Sequence, residues 1–182
     1  MRELSLHIMD IVENSLAAGA SLVNVLIEED RKTNCLRIKV EDNGRGIPQD
    51  MVTKVMNPFY TTRTTRRVGL GLSLFREASR RCEGDFFIKS KESEGTTVFA
   101  SFRLNHIDLA PLGDMASSLT THIMGNPGVD FVYTHRVDGR EFRLDTREVK
   151  EKLGDLPIND PGVIKYLGDL IRESLSELRS EG

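Results

Sequence analysis

Residues 9–21, which read MDIVENSLAAGAS, constrain the fold of this chain more than any other segment. They place the carboxylate of Asp10 and the carboxamide of Asn14 four residues apart, a spacing that puts both side chains on one face of a helix. The apolar positions that predict a core-facing helix are Leu4, Ile8, Ile11, Val12 and Leu16. An amide oxygen suits Mg²⁺, and a carboxylate one turn earlier suits activation of an attacking group. From the pair alone, a solvated or helix-capping role stays open.

Length and composition indicate a soluble protein with one domain of ordinary size, or one domain with a smaller appended unit. The 182 residues are 38% hydrophobic and 29% charged, with a net charge of −3. This charge predicts no nucleic-acid partner and no attraction to an anionic membrane. No segment is as long and apolar as a transmembrane helix or a signal-peptide core, so we expect a cytoplasmic protein. Cys35 and Cys82 are far apart and predict reduced packing residues without a zinc cluster.

Hydrophobic periodicity predicts alternating helices and strands over the first 105 residues. The expected helices cover residues 3–18, ending at Gly19, then 48–55 and 72–81. The expected strands cover residues 22–27, 36–40, 85–91 and 96–104, the first two as an antiparallel pair.

A glycine-containing turn, EDNGRGI at residues 41–47, follows the second predicted strand. Gly44 and Gly46 would let a ligand approach the backbone closely. The carboxylate of Asp42, at the end of a strand, suits the exocyclic amine of adenine and would reject the oxygen of guanine. The alternative is a plain hairpin-like turn, since Asp-Asn-Gly is strong turn chemistry.

Residues 57–68, NPFYTTRTTRRV, have no sustained period, and their basic residues suit a loop over an anion. A solvated surface loop is the alternative. The loop continues into Gly69 and Gly71 and then into a predicted helix, whose first backbone amides would form a phosphate site. The spacing excludes a P-loop and a Rossmann fingerprint. Thr96 opens the last of these strands, where its hydroxyl could share a water with Asp42 or simply favour the strand.

Five segments together resemble motifs of the GHKL ATPases, the superfamily of gyrase B, the large heat-shock chaperones, histidine kinases and the mismatch-repair MutL proteins. DIVENSLAAGAS resembles the N-box in a form closest to mismatch repair, and EDNGRGI resembles the first glycine box. NPFYTTR and RVGLGLSL resemble the lid entry and second glycine box of histidine kinases, and EGTTV resembles the last box. The five occur in the family's order over residues 1–105.

The resemblance implies a Bergerat-type α/β sandwich, a two-layer fold with a mixed, mainly antiparallel sheet, helices on one face and ATP between the layers. Carried over by position, Asn14 would coordinate Mg²⁺ and Asp42 would bind the adenine amino group. Gly44 and Gly46 would let the backbone approach the nucleotide.

The resemblance also implies that Gly69 and Gly71 shape the lid and the phosphate-facing helix start, and that Thr96 supports the adenine-binding carboxylate through water. We add the lid arginines on the basis of charge and place, and expect at least one to reach a phosphate. They are Arg63, Arg66 and Arg67.

Three departures from the family pattern modify the expected chemistry. ATP-hydrolysing members carry Glu where this chain has Asp10, which is shorter by about 1 Å of reach, and a misplacement of that size costs about 10²-fold in rate. We therefore predict slow turnover, with Asp10 as the catalytic base. The lid is shorter and less glycine-rich than in most sensor kinases, and no phosphoacceptor hairpin precedes the first helix. His7 is expected to be a surface or supporting histidine.

Residues 106–182 match no part of the ATP-binding domain and predict a helix, a hairpin around Asp138-Gly139 and two further helices. The expected segments are helices 112–124, 146–153 and 160–178 and strands 131–137 and 141–144. The last helix has a broad apolar stripe that suits tertiary packing or a homodimer. We expect this α/β extension to pack on the first domain or on a partner.

The sequence therefore predicts a Mg·ATP-binding protein that acts as a protein kinase in trans or as a slow ATPase, with a protein phosphoacceptor as its partner. The alternative is a non-catalytic module, in which ATP controls a binding surface on residues 106–182 for a protein partner.

Overall fold

The structure, a computed structural model, describes residues 3–57 and 68–180. The helices are α1 (Leu4–Ala17), α2 (Gln49–Val55), α3 (Val68–Arg81), α4 (Met115–Gly125), α5 (Thr146–Leu153) and α6 (Pro161–Ser180). The strands are β1 (Leu22–Asp30), β2 (Cys35–Asp42), β3 (Phe86–Lys91), β4 (Gly95–Arg103), β5 (Asp130–Val137) and β6 (Arg140–Asp145). None of the helices in these two ranges is long and apolar enough to cross a membrane.

The strands of the described residues form one open sheet in the order β3-β4-β2-β1-β5-β6. Every neighbouring pair is antiparallel except β1 and β5, which are parallel. Residues alternate between the two faces of a strand, and in β2 Ile38 and Val40 are buried while Arg37 and Lys39 are partly exposed. The predicted antiparallel pair of the first two strands is confirmed, as is the mixed, mainly antiparallel α/β architecture.

The core lies between the sheet and the helices on its buried face. Ile8 and Val12 of α1 and Phe75 of α3 are fully buried there, as the apolar stripe of α1 predicts. Phe75 also stacks on His7, with the ring centroids 5.3 Å apart. His7 is only 3% exposed, and this burial lowers its pKa from 6.5 to about 4. Of the two expectations for His7, the surface position was wrong, because α3 covers this edge of α1, and the supporting role stays a prediction.

Residues 106–180 share the sheet and the core of the preceding residues. Strand β5 pairs with β1, with Val25 opposite Tyr133, so the sheet continues across the expected boundary at residue 105. The backbone N–H groups of Leu4 and Ser5 donate to the carbonyls of Pro111 (2.9 Å) and Leu112 (2.8 Å). These amides would otherwise lack partners in the first turn of α1. The segment after β4 therefore holds the beginning of α1 in place.

A buried polar network also joins β1, β5 and α6. The fully buried His135 lies 2.8 Å from Glu29 through Nε2 and 2.8 Å from the hydroxyl of Tyr133 through Nδ1. Arg179, near the end of α6, donates to Glu29 at 3.2 Å. Burial raises the pKa of Tyr133, so its hydroxyl stays a neutral hydrogen-bonding group. The apolar stripe of α6 packs within the chain through Val163, Leu167, Ile171, Leu175 and Leu178.

Candidate functional site

The last residue of β2, Asp42, is held by donors from two other segments. The hydroxyl of Ser15 on α1 donates to Oδ2 at 2.6 Å, and the backbone N–H of Gly44 donates to Oδ1 at 2.9 Å. A carboxylate has about four acceptor positions, so these two bonds fix its orientation and leave further acceptor capacity. Asp42 is therefore a fixed hydrogen-bond acceptor for an external donor.

The glycine turn after Asp42 requires residues without a side chain. Gly46 has φ +71°, and a Cβ there would collide with the carbonyl of Lys91. A Cβ on Gly44 would lie 2.9 Å from the carbonyl oxygen of Ala18, at the end of α1. Gly95, with φ +110°, packs in the same way against the carbonyl of Asp42. These close approaches bring the β2 turn, α1 and the β3–β4 turn together.

Thr96 lies directly opposite Asp42 in the pairing of β4 with β2. Its hydroxyl is 2.8 Å from that of Ser90, which accepts a hydrogen bond from the backbone N–H of Ile47 at 2.7 Å. Ser90 thereby connects the glycine turn to β4. The arrangement keeps Thr96 and Asp42 at the same end of the sheet.

A cavity of about 300 Å³ opens between α1, the glycine turn and this end of the sheet. Asn14, Asp42, Gly46 and Thr96 all line it, so four predicted residues from three separate segments come together. Its apolar lining includes Ile11, Ile47, Met51, Val55, Leu72 and Val98. An apolar cleft with a few fixed polar groups is the usual form of a small-molecule site, and one acceptor at its edge suits a flat ring with an amine.

Asp10 lies one turn before Asn14, where α1 meets the first turn of α3. A Cβ on Gly71 would lie 3.2 Å from the Asp10 Cβ and 3.4 Å from its Oδ2. The structure therefore brings Asp10 and Gly71 into contact. Helix α3 begins at Val68, four residues before the predicted start at residue 72, so Gly69 and Gly71 belong to its first turn. The close approach of α1 explains why a glycine occupies position 71.

A model of the histidine kinase-, DNA gyrase B- and HSP90-like ATPases matches residues 2–106, which include the whole of this cavity. The chain belongs to this family. Its open mixed sheet with helices on one face is the GHKL fold that the sequence motifs implied.

The curated relatives that match this chain include two sensor kinases, each covering 54% of it. The sensor histidine kinase YxdK of Bacillus subtilis is 34% identical over 108 residues, covering 54% of this chain and 32% of YxdK. The sensor protein kinase WalK of Staphylococcus haemolyticus is 28% identical over 106 residues, covering 54% of this chain and 17% of WalK. The chain thus spans between a sixth and a third of the length of these relatives.

Solved structures of low identity share the fold over more of the chain. The Aquifex aeolicus MutL ATPase domain complexed with ADP has a TM-score of 0.52 at 20% identity, covering 84% of this chain and 68% of that domain. The N-terminal domain of a DNA repair protein has a TM-score of 0.54 at 14% identity, and the match covers 80% of this chain and 53% of that domain. Each of these matches covers at least 80% of the chain, which is more than residues 2–106 make up. The shared fold therefore includes part of the extension.

Some residues of this GHKL site were not found by motif reading, and some predicted ones are not described. Ser15 and Ser90 were missed. Ser15 follows the predicted Asn14 in sequence, and Ser90 pairs with the predicted Thr96 across the strands. Strand register would have placed Ser90 opposite Thr96. The predicted lid arginines lie outside the described residues: Arg63, Arg66 and Arg67.

Proposed function

We propose that this GHKL domain binds ATP in the 300 Å³ cavity, with the adenine amino group donating to Asp42. The observation that carries the proposal is the fixed carboxylate, whose two oxygens already accept from Ser15 and Gly44 at the edge of an apolar cleft. Guanine would present an oxygen to this acceptor, which leaves two acceptors unpaired and costs about 1–3 kcal/mol. The site therefore prefers adenine, and Thr96 supports Asp42 through a shared water.

The donor groups also fit a Mg²⁺ ion that is held mainly by the nucleotide. Asn14 lines the cavity with a side-chain amide, a hard oxygen ligand. Within the described residues no group of three His, Cys, Asp or Glu side chains could hold a metal. Mg²⁺ often takes one or two protein oxygens and completes its shell with phosphates and water. When bound, the ion would neutralise phosphate charge. We assign Asn14 as its protein ligand.

We further propose a slow phosphoryl-transfer reaction, either to a protein acceptor in trans or to water. Asp10 is the candidate general base, one turn before Asn14 and in contact with Gly71. Its side chain is one methylene shorter than Glu, which predicts slow turnover. Gly71 lets the first turn of α3 approach α1. We propose that Gly69 and Gly71 shape the lid and the phosphate-facing start of α3, and that at least one lid arginine contacts a phosphate. Two relatives are named as sensor kinases, which supports the kinase alternative. The protein acceptor and the cytoplasmic location are proposed from the sequence.

A second function, a non-catalytic ATP-controlled binding module, is favoured by the attachment of α1 to the extension. Its first turn donates to the carbonyls of Pro111 and Leu112. Further along, Glu13 lies 3.9 Å from His122 of α4. A nucleotide that shifts α1 would therefore move groups that hold residues 106–180, where a protein partner would bind.

Single-turnover measurements with γ-labelled ATP, Mg²⁺ and co-purifying proteins separate the two functions. If the protein is an enzyme, the label moves slowly from bound ATP to water or to a protein acceptor. Asp10→Asn should then reduce the rate of this transfer by at least about 10²-fold with little change in ATP affinity. Glu13→Gln is the matched control, since Glu13 is exposed on the same helix and should retain the wild-type rate. If bound ATP stays intact for hours with every candidate acceptor, and Asp10→Asn changes nothing, the enzyme proposal fails and the binding module stands.

A further inference from the structure

Among the described strands, β6 forms one edge of the sheet, because only β5 pairs with it. The β5–β6 hairpin turns through Asp138 and Gly139, both with positive φ, so Val137 and Arg140 flank a two-residue loop. Flanking residues of such a loop form a hydrogen-bonded pair, and the pairs then alternate along the strands. Arg140, together with every second residue after it, bonds to β5. The backbone groups of Glu141 and Arg143 point to the open edge.

We propose that a second copy of this chain pairs with this edge, β6 against β6 in antiparallel orientation, with Phe142 at the two-fold axis. In this register Glu141 lies opposite Arg143 of the partner subunit, and Arg143 lies opposite the partner's Glu141. Each of these pairs exchanges two backbone hydrogen bonds through the outward-pointing groups. The sheet would then continue from one subunit to the other.

Side-chain charge favours this register. Glu141 and Arg143 are both exposed and lie on the same face of β6, so pairing places opposite charges directly across the strand interface twice. Within one chain, Glu141 contacts Arg136 at 2.6 Å and Arg143 contacts Glu148 at 3.2 Å. These are exposed ion pairs, which contribute little and rearrange easily. Arg143 also contacts the buried Asp145 at 3.0 Å, but Asp145 keeps Arg147 as a second partner at 2.8 Å. The edge is therefore self-complementary in both backbone and charge.

The opposite edge of the sheet lacks this property. Strand β3 reads FFIKSK and has no acidic residue, and its exposed residues include Lys89 and Lys91 on one face. The positive charges of lysines on an edge strand repel the same charges of another copy and so discourage pairing. One edge is thus protected by charge, whereas β6 carries one acid and one base in the order that an antiparallel copy matches.

An apolar groove beside β6 supports the same partner. The groove has a volume of about 560 Å³ and lies between β6, α5 and α6. Leu156 and Tyr166 contribute to its wall and are 47% and 65% exposed. The two-fold axis of an antiparallel strand pair is perpendicular to the sheet, so the helices of both subunits lie on the same side. The two grooves therefore open on the same side of the joined sheet.

Sedimentation equilibrium of the full chain, from micromolar to millimolar concentration, tests the dimer. We expect wild type to associate to dimers, and Glu141→Arg or Arg143→Glu to weaken association by about tenfold or more, since each places like charges opposite one another. An equimolar mixture of these two variants should form heterodimers, because every opposing pair is then of opposite sign. The double variant E141R/R143E should regain the homodimer.

Two further variants protect the test from folding artefacts and other interfaces. Arg143→Pro removes an outward-pointing N–H and leaves the β5 bonds intact, so it should weaken the dimer while circular dichroism stays native. Lys89→Glu on the opposite edge should leave association unchanged. The proposal is overturned if wild type stays monomeric throughout, if single charge reversals associate as well as wild type, or if the mixture fails to associate.

Discussion

Replacing Asp42 by Asn tests the adenine assignment sharply, because the surrounding donors determine how the new carboxamide is oriented. The backbone N–H of Gly44, 2.9 Å from Oδ1, requires an oxygen acceptor at that position. The hydroxyl of Ser15 is 2.6 Å from Oδ2 but also 3.2 Å from the carbonyl of Ile11, to which it can donate instead. The carboxamide therefore keeps its oxygen toward Gly44 and presents its NH₂ group where Oδ2 was.

This orientation replaces an ionic acceptor by a donor opposite the adenine amino group. Loss of a hydrogen bond to a charged group, with two donors left facing each other, costs about 1.5–3 kcal/mol. The Kd for ATP should therefore rise by roughly 10- to 150-fold. Guanine presents an oxygen at the same place, and this oxygen can accept from the new NH₂ group. The preference for ATP over GTP should narrow or invert.

Isothermal titration calorimetry with ATP and GTP measures both effects. Asp155→Asn is the matched control, because Asp155 is exposed in the turn after α5 and should bind both nucleotides as wild type does. Circular dichroism melting verifies that each variant is folded. If Asp42→Asn keeps the Kd for ATP within about twofold of wild type, or weakens ATP and GTP equally, the adenine assignment is wrong.

Three further changes test the site and the core. Ser15→Ala should raise the Kd for ATP by about 2- to 12-fold in the same titration, since it removes one hydrogen bond of about 0.5–1.5 kcal/mol. Gly46→Ala should lower the free energy of unfolding in urea by at least about 1–2 kcal/mol, whereas Gly125→Ala, with open space at its Cβ position, should change it by less than about 1 kcal/mol. Because burial lowers the pKa of His7 from 6.5 to about 4, the unfolded state takes up a proton first, so stability should fall by about 1–2 kcal/mol between pH 6.5 and pH 5; His7→Leu should remove this loss.

Local patterns were enough to predict most of the elements. The alternation of Leu36, Ile38 and Val40 gave the position of β2, and Asp138-Gly139 gave the β5–β6 hairpin, because strand periodicity and turn chemistry depend on adjacent residues. The sequence motifs also predicted that the site residues cluster, since the motifs lie at helix and strand ends that the sheet brings to one side.

Local sequence patterns could not predict the contacts between segments that are distant in sequence. The parallel pairing of β1 with β5 joins strands about a hundred residues apart, and no local signal distinguishes it from other pairings. The hydrogen bond from Ser15 to Asp42 depends on how α1 lies across β2. The start of α3 and the burial of His7 depend on the packing of α3 on α1, which overrides the usual placement of glycine outside a helix.

The position of α1 explains why binding and turnover of ATP should separate in this chain. Ser15 holds Asp42, the proposed adenine acceptor, and Asn14 lines the cavity, so their side of the helix faces the proposed binding site. Asp10 lies a turn earlier against Gly71, at the junction with the helix that follows the lid segment. Under the proposed function, substitutions at Ser15 change affinity, whereas substitutions at Asp10 change the rate. A variant of Asp10 that lost ATP affinity as strongly as Asp42→Asn would contradict this division.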